Sequence, residues 1–199
     1  KALELQFATN KIRASKNKSE HAIAYDYFLQ SREAFNNSLN GVNNLPIAMT
    51  LVNRAINLNP SFAEAYALKS RIYYLSRIFG VSEKEWRDSS LWFATKSVEL
   101  DATISDGYFA RSQLYYYLGR LKEYSEDLHH AFTLSPNDPE VLERYGYQLL
   151  DEGVETGAEY VLRAIESKYG TNDPAYYVAL SDALGNLLDE GYPAREKIL

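Results

Sequence analysis

Apolar and polar positions recur along most of this chain with the period of an amphipathic helix, and the helical stretches stop at glycine or proline signals. From Ser105, one stretch carries Tyr108, Ser112, Tyr115 and Tyr116 and ends before Gly119. The next carries Tyr124, Leu128, Ala131 and Leu134 and stops at Ser135-Pro136. The same pattern places a helix pair from about Ala63 to Ala102, with Tyr66, Ser70 and Tyr73 in the first member and Ala94, Ser97 and Leu100 in the second. Its connection is longer, through Ile78-Phe79-Gly80-Val81, and Ser82-x-x-Glu85 reads as a capping box that restarts the helix. An earlier pair joins a helix from about Glu20 to Asn37, through a plain loop at Ser38–Asn44, to one from Pro46 to Leu58. A later pair opens at Asp138-Pro139, an N-cap and first-turn combination, passes Leu142, Gly146 and Leu149 to Gly153, and resumes through Tyr160, Leu162 and Ala164. Another helix opens at Asp173-Pro174 and runs through Leu180 to Leu188, and Tyr192-Pro193 begins a last one. Every proline falls at a helix start or between helices, so local signals agree on an all-helical chain. Residues 1–19 fit two readings: Leu3, Leu5 and Phe7 alternate as in a strand, while Leu5, Ala8 and Ile12 suit a helix.

Three segments repeat one another: Tyr27-Phe28-Leu29-Gln30-Ser31-Arg32, Tyr66-Ala67-Leu68-Lys69-Ser70-Arg71 and Tyr108-Phe109-Ala110-Arg111-Ser112-Gln113. Self-similarity at roughly 34 to 42 residues marks a helical repeat array. The expected fold is all-α, a right-handed superhelical stack of antiparallel helix pairs in four to five repeats. The repeats fall at about 20–60, 61–102, 103–138, 139–171 and an incomplete 172–199, and residues 1–19 form an arm or the remnant of an upstream domain. Small Ser112 and Ala131 let paired helices approach closely while large residues fill the space between layers.

The 34-residue unit from Ser105 to Asp138 has an aromatic, a small residue four later, a tyrosine three after that, then Ala, Leu and Pro. In this it resembles a tetratricopeptide repeat (TPR), and the resemblance covers about residues 20–191. The segment Ala24-Tyr25-Asp26-Tyr27-Phe28-Leu29-Gln30-Ser31-Arg32 and the lengthened second repeat resemble the repeat region carried behind bacterial class III adenylate cyclase domains or winged-helix transcription regulators. That resemblance implies a regulatory or sensory module whose effector domain lies upstream. It also implies an inner surface lined by the first helix of each repeat: Phe28, Arg32 and Phe35; Ala67, Arg71 and Tyr74; Phe109, Gln113, Tyr116 and Tyr117; Glu143, Tyr147 and Leu150. Periodicity agrees in part, since 28, 32 and 35, like 67, 71 and 74, stand at i, i+4, i+7. The offset stripes of Tyr27 and Ser31, or Tyr66, Ser70 and Tyr73, are those needed for packing, and Tyr73 and Tyr115 are assigned to the core.

An arginine fork suits a carboxylate, and Phe or Tyr offers flat apolar contact at low entropic cost, so the inner stripe can grip a peptide. Aromatic stripes at helical spacing also build cores, which leaves a binding role for roughly half of these residues.

Composition narrows the function further. The chain has 199 residues, 46% of them apolar, 17 tyrosines and a formal charge of −6, which argues against a nucleic-acid binder because phosphate neutralisation needs clustered Lys and Arg. Lys11, Arg13, Lys16 and Lys18 are the one basic cluster and read as a solvated, frayed terminus. The absence of cysteine removes disulfides, thiolate metal sites and a cysteine nucleophile. No run of 18 apolar residues spans a membrane, and the start at Lys1 suggests a fragment of a longer protein. His129 and His130, with Glu126 a turn earlier, are adjacent on a helix and point about 100° apart, awkward for a shared ion. The carboxylates Glu123, Glu126 and Asp127, or Asp151, Glu152 and Glu155, read as solvated faces rather than acid–base pairs. Neither a phosphate loop nor a nucleophile elbow occurs. Asn17-Lys18-Ser19 and Asn36-Asn37-Ser38 fit the glycosylation pattern, a triplet common by chance.

The reading is therefore a protein–protein interaction module, not an enzyme, that holds a partner peptide or helix in a concave groove. Arg32, Arg71, Tyr74, Phe109, Gln113 and Tyr116 are the main contributors. The alternative is a structural module that forms a homodimer or packs on its own effector domain. No cofactor and no metal are expected. The compartment is the cytoplasm, or the periplasm if a membrane helix lies upstream.

Overall fold

The computed structural model describes residues 2–39, 44–154 and 156–189, with side chains from Ser19 onward except at 184 and 186–189. The described residues contain helices and turns and no strand. The nine α-helices are α1 (Ala2–Leu39), α2 (Leu45–Leu58), α3 (Ala63–Ser76), α4 (Glu83–Leu100), α5 (Ser105–Tyr117), α6 (Leu121–Leu134), α7 (Pro139–Asp151), α8 (Gly157–Tyr169) and α9 (Pro174–Asp189). A single 3-10 turn, Arg77–Phe79, follows α3. The last helix expected after Tyr192-Pro193, and positions 40–43 of the first loop, lie outside the described residues.

Local chemistry accounts for the helix ends. The Ser82 hydroxyl accepts the Glu85 N–H at 3.4 Å, as the capping box requires. At α7, the Asp138 carboxylate accepts from the Glu140 and Val141 N–H groups at 3.0 and 3.1 Å, with Pro139 in the first turn. Where α3 ends, the Ser76 hydroxyl donates to the Tyr73 carbonyl at 2.6 Å and Arg77 Nη1 donates to the Tyr74 carbonyl at 2.7 Å. Two orphan carbonyls are thereby satisfied, and Gly80, at φ +83°, turns the chain away. Helix α1 is one continuous helix back to Ala2, longer than the span from Glu20 and helical where residues 1–19 allowed two readings. With no glycine or proline between residues 2 and 39, nothing interrupts it.

The chain divides into two compact units, Lys1–Leu114 and Tyr115–Leu199, the division falling within α5. In the first unit α1 pairs with α2 and α3 with α4, and α2 packs on α3. Phe28, Phe35, Leu45, Val52, Leu68, Ile72 and Leu75 form its core. In the second unit α7 pairs with α8, α6 packs on α7 and α8 on α9. Leu150, Ala158, Val161, Ile165 and Ala183 form a core there, flanked by Tyr147 and Tyr169. Burying each large aliphatic side chain stabilises the fold by roughly 1.5–3 kcal/mol.

Close helix approach is secured by small residues. In the first unit they include Gly107, where a Cβ would stand 2.7 Å from Ser97 Oγ, and serines whose hydroxyls are satisfied across the helix pair: Ser31 donates to the Ala48 carbonyl at 2.7 Å, and Ser70 to the Ser90 carbonyl at 2.8 Å. Ser97 donates to the Ala63 carbonyl, also at 2.8 Å. In the second unit they are glycines. A Cβ on Gly146 would stand 2.7 Å from the Gly157 carbonyl oxygen and 2.8 Å from Val161 Cγ2, so the α7–α8 crossing admits no side chain there. Each unit is thus built of paired helices packed on their neighbours in chain order.

Candidate functional site

The first-helix stripe of the first unit comes together around one arginine. The Arg71 guanidinium on α3 lies 4.9 Å from the ring centroid of Phe35 on α1 and 5.8 Å from that of Phe109 on α5. Three first helices therefore share a face on which a cation is laid across two phenyl rings, an electrostatically favourable contact with the ring quadrupole. One step along α1, Arg32 Cζ sits 5.6 Å above Phe28, whose ring is 5.0 Å from Phe62. Arg32 is exposed and Arg71 half-buried.

The structure corrects the role of the rings beneath. Phe28, Phe35 and Phe109 are 7, 3 and 5% exposed, and Ala67 is 1% exposed. The phenyl rings four residues before and three residues after Arg32 fall toward neighbouring helices and are claimed by the core, while the guanidinium between them stays at the surface. Tyr74 stands apart from this group. Half-buried, it meets Trp86 edge-on at 5.9 Å and carries Arg77 at 3.9 Å over its ring. Gln113 is half-buried on α5.

In the second unit the exposed groups are tyrosines. Tyr116 and Tyr117 are each 49% exposed at the end of α5. Tyr116 is 5.1 Å from Tyr124, and Arg144 Cζ lies 5.7 Å over its ring. Burial pushes the Tyr124 hydroxyl up to about 12. On α7, Glu143 and Tyr147 are half-buried, Tyr147 packing against the core that takes in Leu150, itself 3% exposed. The Gln148 amide nitrogen donates to Ser125 Oγ at 2.6 Å and to Glu152 Oε1 at 2.8 Å, tying α6 to the end of α7.

Several participants escape sequence reading. Trp86, Arg77, Phe62 and Arg144 complete these contacts, and only Arg77, three residues after Tyr74, stands close enough for helical spacing to have suggested it. Tyr73 and Tyr115, assigned to the core, are half-buried. Tyr73 stacks on Phe93 at 5.5 Å with ring planes 9° apart, and the Lys69 ammonium lies 4.1 Å over the same Phe93. Burial lowers the Lys69 pKa. His129 Nδ1 is 3.4 Å from the Tyr145 hydroxyl, and among the described residues no three His, Asp or Glu side chains converge as metal ligands. No helix among the described residues is long and apolar enough to cross a membrane.

No family model and no curated protein matches the chain. Among solved structures it is similar to MamA, at 12% identity and a TM-score of 0.47 over 73% of this chain and 78% of that one. It is also similar to YrrB, described as a TPR protein with an unusual peptide-binding site, at 21% identity and a TM-score of 0.45 over 92% of this chain and 85% of that one.

Proposed function

We propose that the chain is a protein–protein interaction module that takes a peptide or a helix of a partner on the first-helix faces of its units. The observation that supports it is Arg71 laid across Phe35 and Phe109, with Arg32 over Phe28 beside it. Arg32, exposed beside the buried Phe28 ring, has the planar fork that takes a carboxylate, and Arg71 marks the same face on α3. In the second unit, half-exposed Tyr116 and Tyr117 give amphipathic contact area of the kind enriched at interfaces. In this reading the helix pairs are five repeats with the boundaries given above. The module serves as the regulatory or sensory part of a bacterial signalling or transcription-regulating protein in the cytoplasm, which rests on the sequence resemblance.

The test begins with selection of binders from a displayed random-peptide library, followed by affinity measurement on the wild type and variants. Arg71→Glu combined with Tyr74→Ala is expected to weaken a selected peptide at least about tenfold, the scale of one lost charge-assisted contact. Arg32→Glu, on an exposed position, is expected to act in the same direction without altering the melting temperature. Equal affinity for wild type and both variants would refute the assignment.

A further inference from the structure

The side of α3 turned away from Arg71 carries a cation in a different setting. Two residues span about 200° of helix, so Lys69 stands nearly opposite both Ala67 and Arg71. Its ammonium lies 4.1 Å from the ring centroid of Phe93 on α4. Tyr73 stacks on the same ring at 5.5 Å, Tyr66 tilts against it at 6.1 Å, and Trp92 meets it edge-on at 4.7 Å. Tyr66 is buried, Lys69, Tyr73 and Phe93 are half-buried, and Trp92 is 57% exposed.

Several cations elsewhere on the helices find a carboxylate within a turn. Arg87 lies 3.7 Å from Glu83, Lys96 3.3 Å from Glu99 and Lys122 3.8 Å from Glu126. For Lys69 the helix supplies none, because the residues three and four positions away are Ala65, Tyr66, Ile72 and Tyr73. Among the described residues the Lys69 ammonium meets no carboxylate and no hydrogen-bond acceptor, and the Trp92 indole N–H meets no acceptor either. A half-buried cation has given up part of its hydration, and the Phe93 face returns only some of that. Burial accordingly lowers the Lys69 pKa. A carboxylate brought to this point meets a cation already partly stripped of water, where the attraction is stronger than at an exposed lysine.

We propose that this side of α3 and α4 is a second docking surface, which takes an acidic segment of a partner protein. An Asp or Glu side chain of that segment pairs with Lys69, and an apolar neighbour in the segment lies on Trp92. A protein carboxylate is the occupant for two reasons. Lys69 is one cation against an aromatic wall, whereas a nucleic acid or an anionic membrane is held by several cations together. The exposed indole beside it offers apolar area and one N–H donor, the combination that makes Trp an anchor in protein contacts. Because Lys69 and Arg71 face nearly opposite ways, this surface acts apart from the first-helix face proposed above.

The test titrates the full chain with a blocked hexapeptide alternating leucine and glutamate, its leucine–glutamine counterpart serving as control. Binding is followed by NMR at the Trp92 indole N–H and the Lys69 side chain. The glutamate peptide is expected to shift both signals, and the glutamine peptide to bind at least about tenfold more weakly. Lys69→Met keeps the apolar stem and removes the charge, so it should cost about tenfold in affinity at an unchanged melting temperature. Lys69→Arg should recover most of that loss. If Lys69→Met does not fold, Trp92→Ala, altered at an exposed position, should weaken the same peptide and decides together with the glutamine control. Equal binding of the two peptides, or full affinity in Lys69→Met, overturns the proposal. So do Lys69 and Trp92 signals that respond to inorganic phosphate, to phosphatidylserine vesicles or to the chain's own concentration but not to the glutamate peptide. Such a failure would leave the first-helix reading standing, because that reading is tested at Arg32 and Arg71.

Discussion

The two units solve one packing problem with a different balance of residues, although Gly107 gives the first unit a glycine contact of its own against Ser97. Around Ser31, Ser70 and Ser97 the first unit lets its helices approach over hydroxyls that each reach a carbonyl across the pair, whereas the second closes α7 on α8 over Gly146 and Gly157. A serine crossing retains some slack, because losing the hydroxyl leaves a methyl and a carbonyl still bonded along its own helix. A glycine crossing retains none. The units differ as much in what they present: arginines on phenyl rings in the first, tyrosines and carboxylates in the second.

The comparison is broken most sharply at Gly146. Gly146→Val places a branched side chain where even a Cβ meets the Gly157 carbonyl oxygen at 2.7 Å, and thermal unfolding should show a loss of about 3 kcal/mol or more. A Cβ on Gly185 of α9 would meet nothing within 4 Å, so Gly185→Ala should be neutral or stabilise by up to about 1 kcal/mol through helix propensity. Equal damage at both sites would show that close approach does not distinguish them.

Alkaline pH gives the next largest effect. Tyr124 titrates near 12 when folded, above the ordinary value of 10.0, because burial disfavours the phenolate. Its contribution is fully present below pH 10 and is lost between about pH 10 and 12, as the unfolded chain ionises first. The loss amounts to about 2–3 kcal/mol for two pH units. Tyr124→Phe should remove that share of the alkaline loss, measured as the difference between denaturation curves of wild type and variant.

Smaller effects sharpen the serine side of the contrast. Ser70→Ala removes a buried hydroxyl that donates to the Ser90 carbonyl and should cost about 1 kcal/mol in chemical denaturation, well short of Gly146→Val. Asp138→Ala, which strips the cap from α7, should cost about 1 kcal/mol or somewhat less, with the loss read in the second unit.

Much of this architecture is written in local patterns. Ser82 with Glu85, Asp138 with Pro139 and the glycines at 80, 119 and 153 announce where helices start and stop, and the chain obeys because each signal satisfies or frees particular backbone groups. The face was harder to read. Helical spacing identified 28, 32 and 35 as one stripe but could not say that the phenyl rings sink while Arg32 stays out, because that depends on which neighbour arrives. The partnership of Arg71 with Phe35 and Phe109 joins residues 36 and 38 positions away, and that of Tyr116 with Arg144 spans 28, so no local pattern records them. At residues 1–19 the alternation of Leu3, Leu5 and Phe7 competed with helical spacing, and the uninterrupted run of non-proline, non-glycine residues decided for helix.

The most direct test of partner recognition on first-helix faces is amide hydrogen exchange of the chain with and without a selected peptide. Added protection is predicted along α1 between Phe28 and Phe35, on α3 around Arg71 and on α5 around Gln113, with α2 and α4 unchanged. Protection confined to α2 and α4 would contradict the account.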